Sequence, residues 1–404
     1  MLELRRLVIA AAVLSCLSGC AGPRAGEQRA AAAPATGALG KGDLGAAGRH
    51  AEAALSRDRK NSQAALVRAI TRYERAMKQA SKDLRTVVIG GAMAGGLNQR
   101  YLTSALAELD AALRTVEGDL ALASQDPEIS LELCLACWEK DWNGNGRVDS
   151  RDRLLFQIEQ DASGRPIPDG DPRRKPTFRF DLGDVYWARA FVAFQRAAID
   201  VLSAYDFSEL DRLLDERGTR PQRLRLRLVH PERMRSAREH VLRGLAHSEQ
   251  SRRAYLRERD DDREWVPSPR QKSHPLPLPV DGALYATWEG VVGDLERLVR
   301  GQEGLSVREL AQLGDHRWEN PPGGFIDVGG SFSAPRDIVI DLDLLERAER
   351  KQDVEAALGS LLGANYRRQM KPSPLPSRLS RMKGEVDRGE ESLERKLRYL
   401  FWIN

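Results

Sequence analysis

Histidine and cysteine are scarce: the 404 residues hold six of one and four of the other. Metal and thiol chemistry therefore has few places to sit. His240 and His247 lie seven apart on one predicted helix, too far for a two-ligand zinc motif, and no HExxH pattern occurs. They read as surface or packing residues. An excess of one charge is also missing. Basic residues number 63 and acidic residues 59, interspersed, for a net charge of +4, which leaves no nucleic-acid footprint. Beyond residue 19 no apolar run is long enough to span a bilayer; the nearest, residues 86–97, stops at twelve. The glycines between Gly90 and Gly96 are followed by no Lys-Ser/Thr pair, so they read as close helix packing or a bend, not a phosphate loop.

What is present is an ordinary globular composition, 41% hydrophobic and 30% charged, behind a short leader. The chain opens Met-Leu-Glu-Leu-Arg-Arg, continues apolar through Leu14 and closes on Leu17-Ser18-Gly19-Cys20. A basic start, a short apolar centre and small residues before the cut make a secretory signal rather than a span. Those last four residues resemble the lipobox of bacterial lipoproteins. The resemblance implies that residues 1–19 are removed, that Cys20 is acylated, and that the membrane is reached through this N-terminal lipid. Ala21 after the cysteine implies an outer-membrane address facing the periplasm.

Cys16 leaves with the leader and Cys20 carries lipid, so Cys134 and Cys137 are the remaining thiols. The compartment is oxidising, and the pair reads as a local disulfide, as two structural thiols on one helix face, or as a redox or zinc pair. Redox pairs favour a helix N-terminus, whereas these cysteines are expected near the end of a helix.

That helix is expected to enter the most informative stretch. Residues 141–152 place oxygen-bearing side chains at loop positions 1, 3, 5, 9 and 12: Asp141, Asn143, Asn145, Asp149 and Asp152. Gly146 stands at position 6 and sends the Arg147 carbonyl inward at position 7. This is the ligand spacing of an EF-hand calcium loop, set by a hard cation that needs six to eight oxygens. Asn145 adds no charge, Asp152 is shorter than the usual glutamate, and Lys140, Arg147, Arg151 and Arg153 crowd the site. A weak site follows, in the ~10⁻⁴–10⁻³ M class. With Asn143, Val148, Ser150 and Asp152, the loop is similar to those of the dockerin family. There is no second copy, Asp161, Asp169, Asp171 and Asp181 being irregularly spaced, so only the calcium loop carries over. An Asn/Gly-rich turn without metal is the plain alternative.

The expected fold is mainly α, a multi-helix body with at most a few short strands. Residues 20–46, rich in alanine, glycine and proline, read as a flexible tether. Residues 47–265 read as a helical domain. Leu66, Ile70 and Tyr73 form one apolar stripe at helical spacing, and Leu106, Leu113 and Leu120 another. A helix is expected to leave the loop from Arg153 to Gln160. Asp184 reads as the N-cap of a helix with an aromatic stripe, Trp187, Phe191 and Phe194. The Leu/Arg alternation from Leu224 to Val229 suits an exposed strand, with a ribbon to residues 177–180 as one option. Pro231 opens a helix to about Arg259. Residues 266–279 form a proline-rich strap or linker, which Trp265 and Val266 favour as a packed strap. Residues 280–404 read as a C-terminal helical region.

Catalytic constellations are thin. The glycine- and proline-broken loop carrying Asp315, His316, Trp318, Glu319, Asp327 and Asp337 is the best place for an acid/base pair. The leading expectation is a lipid-anchored, extracytoplasmic calcium-binding lipoprotein. It would act as a binding or envelope-assembly module with a protein partner, with calcium in a structural role and no nucleic acid. A periplasmic hydrolase using loop carboxylates and His316 is one alternative. A tetratricopeptide-like scaffold is another, although the repeat's Trp-Tyr-Gly signature is absent. A pocket lined by acidic and histidine residues would favour the enzyme, and a broad apolar groove the binding module.

Overall fold

The computed structural model describes residues 22–94, 99–141, 146–150, 152, 156–161, 165–210, 221–259, 263–271, 281–313, 321–350 and 353–387. The leader, Cys20, Asn143, Asn145 and His316 lie outside them. The chain is a mainly α multi-helix body with a few short strands. Among the described residues, no helix is long and apolar enough to cross a membrane.

Four helices come first: α1 (Gly22–Gly40), α2 (Leu44–Arg57), α3 (Ser62–Ala94) and α4 (Gln99–Ala123). The expected tether at 20–46 is corrected here, because most of it is α1. Alanine is the best helix former, and Ala32, Ala35 and Leu39, spaced for one face, are wholly buried. Asn61 donates its side-chain amide to the Gln28 carbonyl (2.9 Å), fastening α1 to the start of α3. Asp43 then caps α2 by accepting from the Ala46 N–H at 2.8 Å. The two predicted stripes meet between α3 and α4, with Leu66, Leu106, Leu113 and Leu120 in the main core. Arg68 and Arg72 of α3 both reach the buried Asp119 of α4.

Strand β1 (Leu131–Leu133) pairs antiparallel with β2 (Phe178–Phe180), Leu131 opposite Phe180 and Leu133 opposite Phe178. So residues 178–180 do not form a ribbon with the Leu/Arg strand. The period-2 patterns Leu-Glu-Leu and Phe-Arg-Phe each turn an apolar face inward: Leu131 and Leu133 join the main core, Phe178 a second cluster, and Phe180 packs against both. Helix α5 (Leu182–Ala204) follows, and its N-cap is Asp181, three residues before the expected Asp184. Both acids belong to one capping box: Asp181 accepts from Gly183 N–H, and Asp184 accepts from Asp181 N–H at 2.7 Å.

Helix α6 (Pro231–Arg257) lies against α5. A Cβ on Gly183 would sit 2.3 Å from the Tyr255 ring, so only glycine lets these helices close. Between them run β3 (Tyr205–Asp206) and β4 (Arg223–Leu228); β4 also pairs with β7 (Ile338–Asp341). This sheet joins residues from both sides of segment 266–279. Leu224 and Leu226 point inward, while Arg223, Arg225 and Arg227 pair with Asp341, Asp337 and Asp206 on the outer face.

The C-terminal region holds α7 (Gly282–Val299), α8 (Val307–Ala311), α9 (Val328–Ser333), α10 (Leu342–Glu349), α11 (Val354–Leu362) and α12 (Leu375–Asp387). A small antiparallel sheet joins β5 (Leu305–Ser306), β6 (Phe325–Ile326) and β8 (Tyr366–Arg367). The wholly buried Asp294 of α7 accepts from Arg378 Nε of α12 at 2.9 Å.

Candidate metal loop and adjoining apolar cleft

The segment entering the loop is not the expected helix. After β1, Cys134 and Cys137 are joined by a disulfide that brackets a single 3-10 turn, Leu135–Cys137. Two N–H groups close it: Cys137 to the Cys134 carbonyl (3.0 Å) and Trp138 to the Leu135 carbonyl (3.2 Å). A strand pairing with β2 leaves no room for a helix there, because its backbone groups are committed to the ladder. The expected exit helix is likewise absent from Phe156 onward. Ile158 donates its N–H to the Arg174 carbonyl (3.0 Å), Ile167 donates to the Glu159 carbonyl (2.8 Å), and the Ile158 side chain is buried.

Within the loop, Asp141 Oδ2 accepts from the Gly146 N–H at 2.7 Å. Gly146 has φ +91°, the left-handed region its position requires. Asp152 Oδ2 accepts from the Asp149 N–H at 2.9 Å, and Asp152 is only 4% exposed. Both ends of the loop are thus wound by a carboxylate onto a backbone N–H a few residues away. Arg147 is exposed and Asp149 half-buried. Lys140 forms an ion pair with Glu74 of α3. That pair engages this cation with α3, while burial holds its ammonium down to about 8. The donor set at these positions, carboxylate and backbone carbonyl oxygen, suits a hard divalent cation.

The other acids have local roles. Asp161 accepts from Arg165 N–H at 3.1 Å, Asp169 pairs with Arg174, and Asp171 caps the turn Pro172–Arg174. Asp327 caps α9 and pairs with Arg367 at 2.6 Å; Asp337 pairs with Arg225 and accepts from Leu228 N–H at 2.8 Å. Asp315, Trp318 and Glu319 lie outside the described residues with His316. His240 Nδ1 lies 2.9 Å from Asp200 Oδ2, and His247 Nδ1 lies 2.8 Å from Gln250 Oε1. Burial pushes Asp200 up, but hydrogen bonds from His240, Ser236 and Arg233 outweigh it and hold the acid at about 2. Both histidines are buried, with separate partners.

Sequence reasoning missed two features. The first is a carboxyl cluster. Asp181, Glu258 and Glu264 bring one oxygen each within 4.8 Å of one another. Burial, then the neighbouring Asp181 and Glu264, push Glu258 up to about 12, so it is protonated at neutral pH. Burial and the Asp181 charge also hold Asp184 well above the usual carboxylate range. The residues come from the start of α5, the end of α6 and the segment just before 266–279, and no local pattern links them.

The second is a cleft of about 470 Å³ beside the loop. Six aromatic side chains line it: Tyr73, Trp138, Phe156, Phe180, Trp187 and Trp265. Leu131 and Leu133 of β1 and Ile70 of α3 add aliphatic wall, and Glu74 and Asp184 are its carboxyl groups. Tyr73 accepts a hydrogen bond from Gln195 Nε2 at 2.8 Å. Trp265 meets Phe178 edge-on at 4.8 Å and lies 5.1 Å from Phe180, and Val266 is buried in the same cluster; residues 272–279 lie outside the described residues. Trp138 stands three residues before Asp141, placing one wall of the cleft on the chain that enters the loop. The aromatic stripe of α5 was the available signal, but a stripe alone reads as core. Searches against protein-family models, curated proteins and solved structures found no match.

Proposed function

We propose that this chain is a lipid-anchored, extracytoplasmic binding module whose loop at 141–152 takes calcium as a structural clamp. The cleft is the observation that carries the binding reading. Its wall is apolar and aromatic, and His240 and His247 are engaged elsewhere in the fold. A catalytic pocket would gather titratable groups around a reacting atom. This one gathers rings.

The winding of the loop supports the calcium reading. Carboxylates at positions 1 and 12 are ordered by Gly146 and Asp149 N–H groups, and position 6 has the turn geometry the ion requires. Asp141, Asp149, Asp152 and the Arg147 carbonyl would hold the ion, joined by Asn143 and Asn145. Bound calcium would tie the β1 side of the cleft to the segment that resumes at Phe156. The disulfide Cys134–Cys137 restrains the same segment from the other end. Lipid on Cys20 would fix the module to the outer membrane, facing a protein partner in the envelope.

The repeated helix neighbours α1 to α4 support a scaffold as a second reading, although helices of 19, 14, 33 and 25 residues make no regular repeat. Thermal melting tests the calcium clamp. With an affinity in the expected class, calcium at about ten times Kd stabilises the folded chain by about 1.4 kcal/mol, and Asp141→Ala removes that gain. A melting curve that ignores calcium in both proteins overturns the clamp. For the anchor, Cys20→Ala should release the protein from membranes.

A further inference from the structure

We propose that the cleft is a site for an uncharged, ring-containing apolar small molecule. This rests on the binding-module reading and names its ligand class. The volume, about 470 Å³, falls within the range of small-molecule sites, roughly 300–1,000 Å³. Protein interiors are normally close-packed, and large aromatic side chains are the usual means of filling them. Here three of the chain's seven tryptophans, Trp138, Trp187 and Trp265, converge on one place and leave it open.

Charge decides the ligand's polarity. The wall carries two carboxyl groups, and each is already answered from within the protein. Glu74 pairs with Lys140. Asp184 accepts from Tyr255 O–H and from Asp181 N–H, both at 2.7 Å. A fatty-acid carboxylate would meet no cation among the described wall residues. A cationic ligand would have to take Glu74 from Lys140 or compete for Asp184. A neutral molecule disturbs neither pair and leaves no charge buried alone.

Shape decides the rest. The rings are set by neighbours before any ligand arrives: Trp265 by Phe178, and Trp187 by Phe191, stacked at 5.4 Å with 12° between planes. Preset aromatic walls offer edge-to-face and offset contacts to a rigid ring system at little ordering cost. A flexible alkyl chain gains less from such walls, because it must be ordered on binding.

The test titrates the full chain, with calcium present, with N-phenyl-1-naphthylamine as a neutral ring probe and with decanoate as an anionic chain, following tryptophan emission. The proposal expects saturable one-to-one binding of the ring probe and no displacement by decanoate. Two variants that fill the cleft from different helices, Ala188→Phe in α5 and Ile70→Phe in α3, should each weaken the probe at least about tenfold, at melting temperatures near that of the parent. Saturating binding of decanoate that displaces the probe overturns the ligand class and leaves the binding module standing. Absence of saturable probe binding, or binding indifferent to both filled variants, overturns the site. Should the variants fail to fold, the probe–decanoate competition on the parent still decides the ligand class. The calcium clamp fails separately, through a melting curve insensitive to calcium.

Discussion

The helices α1 to α3 and the region around Trp265 solve the same packing problem in opposite ways. The first is sealed with the smallest side chains. Ala32, Ala35, Ala47 and Ala51 are fully buried, so backbones approach closely and little space is left. The second uses the largest rings of the chain, and they stand around a cleft instead of closing it. It also gathers carboxyl groups, Asp181 and Glu258 half-buried and Glu264 buried, where β2 hands over to α5. A region built only to be stable resembles the first. The second accepts buried acid and open volume, which is a cost unless something binds there.

The contrast can be broken by mutation. The largest effect belongs to the sealed core: Leu39→Ala in α1 should cost about 2–5 kcal/mol, because Leu39 is wholly buried. Leu135→Ala on the cleft wall should cost about 1 kcal/mol or less, since it only widens an existing opening. Chemical denaturation measures both, and equal costs would erase the distinction. Adding volume comes next. Ala51→Leu in α2 should lose about 1–3 kcal/mol through overpacking, whereas Ala188→Leu in the cleft should stay within about 0.5 kcal/mol.

A further effect is a slope with pH. Folding holds Glu258 at about 12, while the unfolded carboxyl titrates near about 4.3. Its proton therefore stabilises the fold fully below the unfolded value, and that stabilisation is lost as pH rises toward the folded one. Glu258→Gln replaces the protonated acid with a neutral amide. Its melting temperature should fall less than the parent's between about pH 6 and pH 9. Parallel curves would mean that Glu258 is ionised in the fold.

Local periodicity made the long helices legible. Leu66, Ile70 and Tyr73 predicted α3, Leu106 and Leu113 predicted α4, and Pro231 marked the start of α6. The start of α5 was misplaced from Asp181 to Asp184 because both acids serve the same capping box. Helix α1 was hidden because a run of small residues looks the same whether it packs or floats; only the partner face decides. The calcium spacing was visible, but its flanks were not. Leu131 to Leu133 is too short to announce a strand without Phe178 to Phe180 opposite it. The cleft draws its wall from Leu66 through Trp265, and the carboxyl cluster joins three distant segments. Such sites exist only after folding.

The central claim, that residues 141–152 clamp calcium next to the cleft, is tested most directly by calorimetric titration of the soluble body. One site in the ~10⁻⁴–10⁻³ M class, abolished by Asp141→Ala, is the predicted result. No heat of binding at millimolar calcium, or an unchanged isotherm for Asp141→Ala, would contradict it.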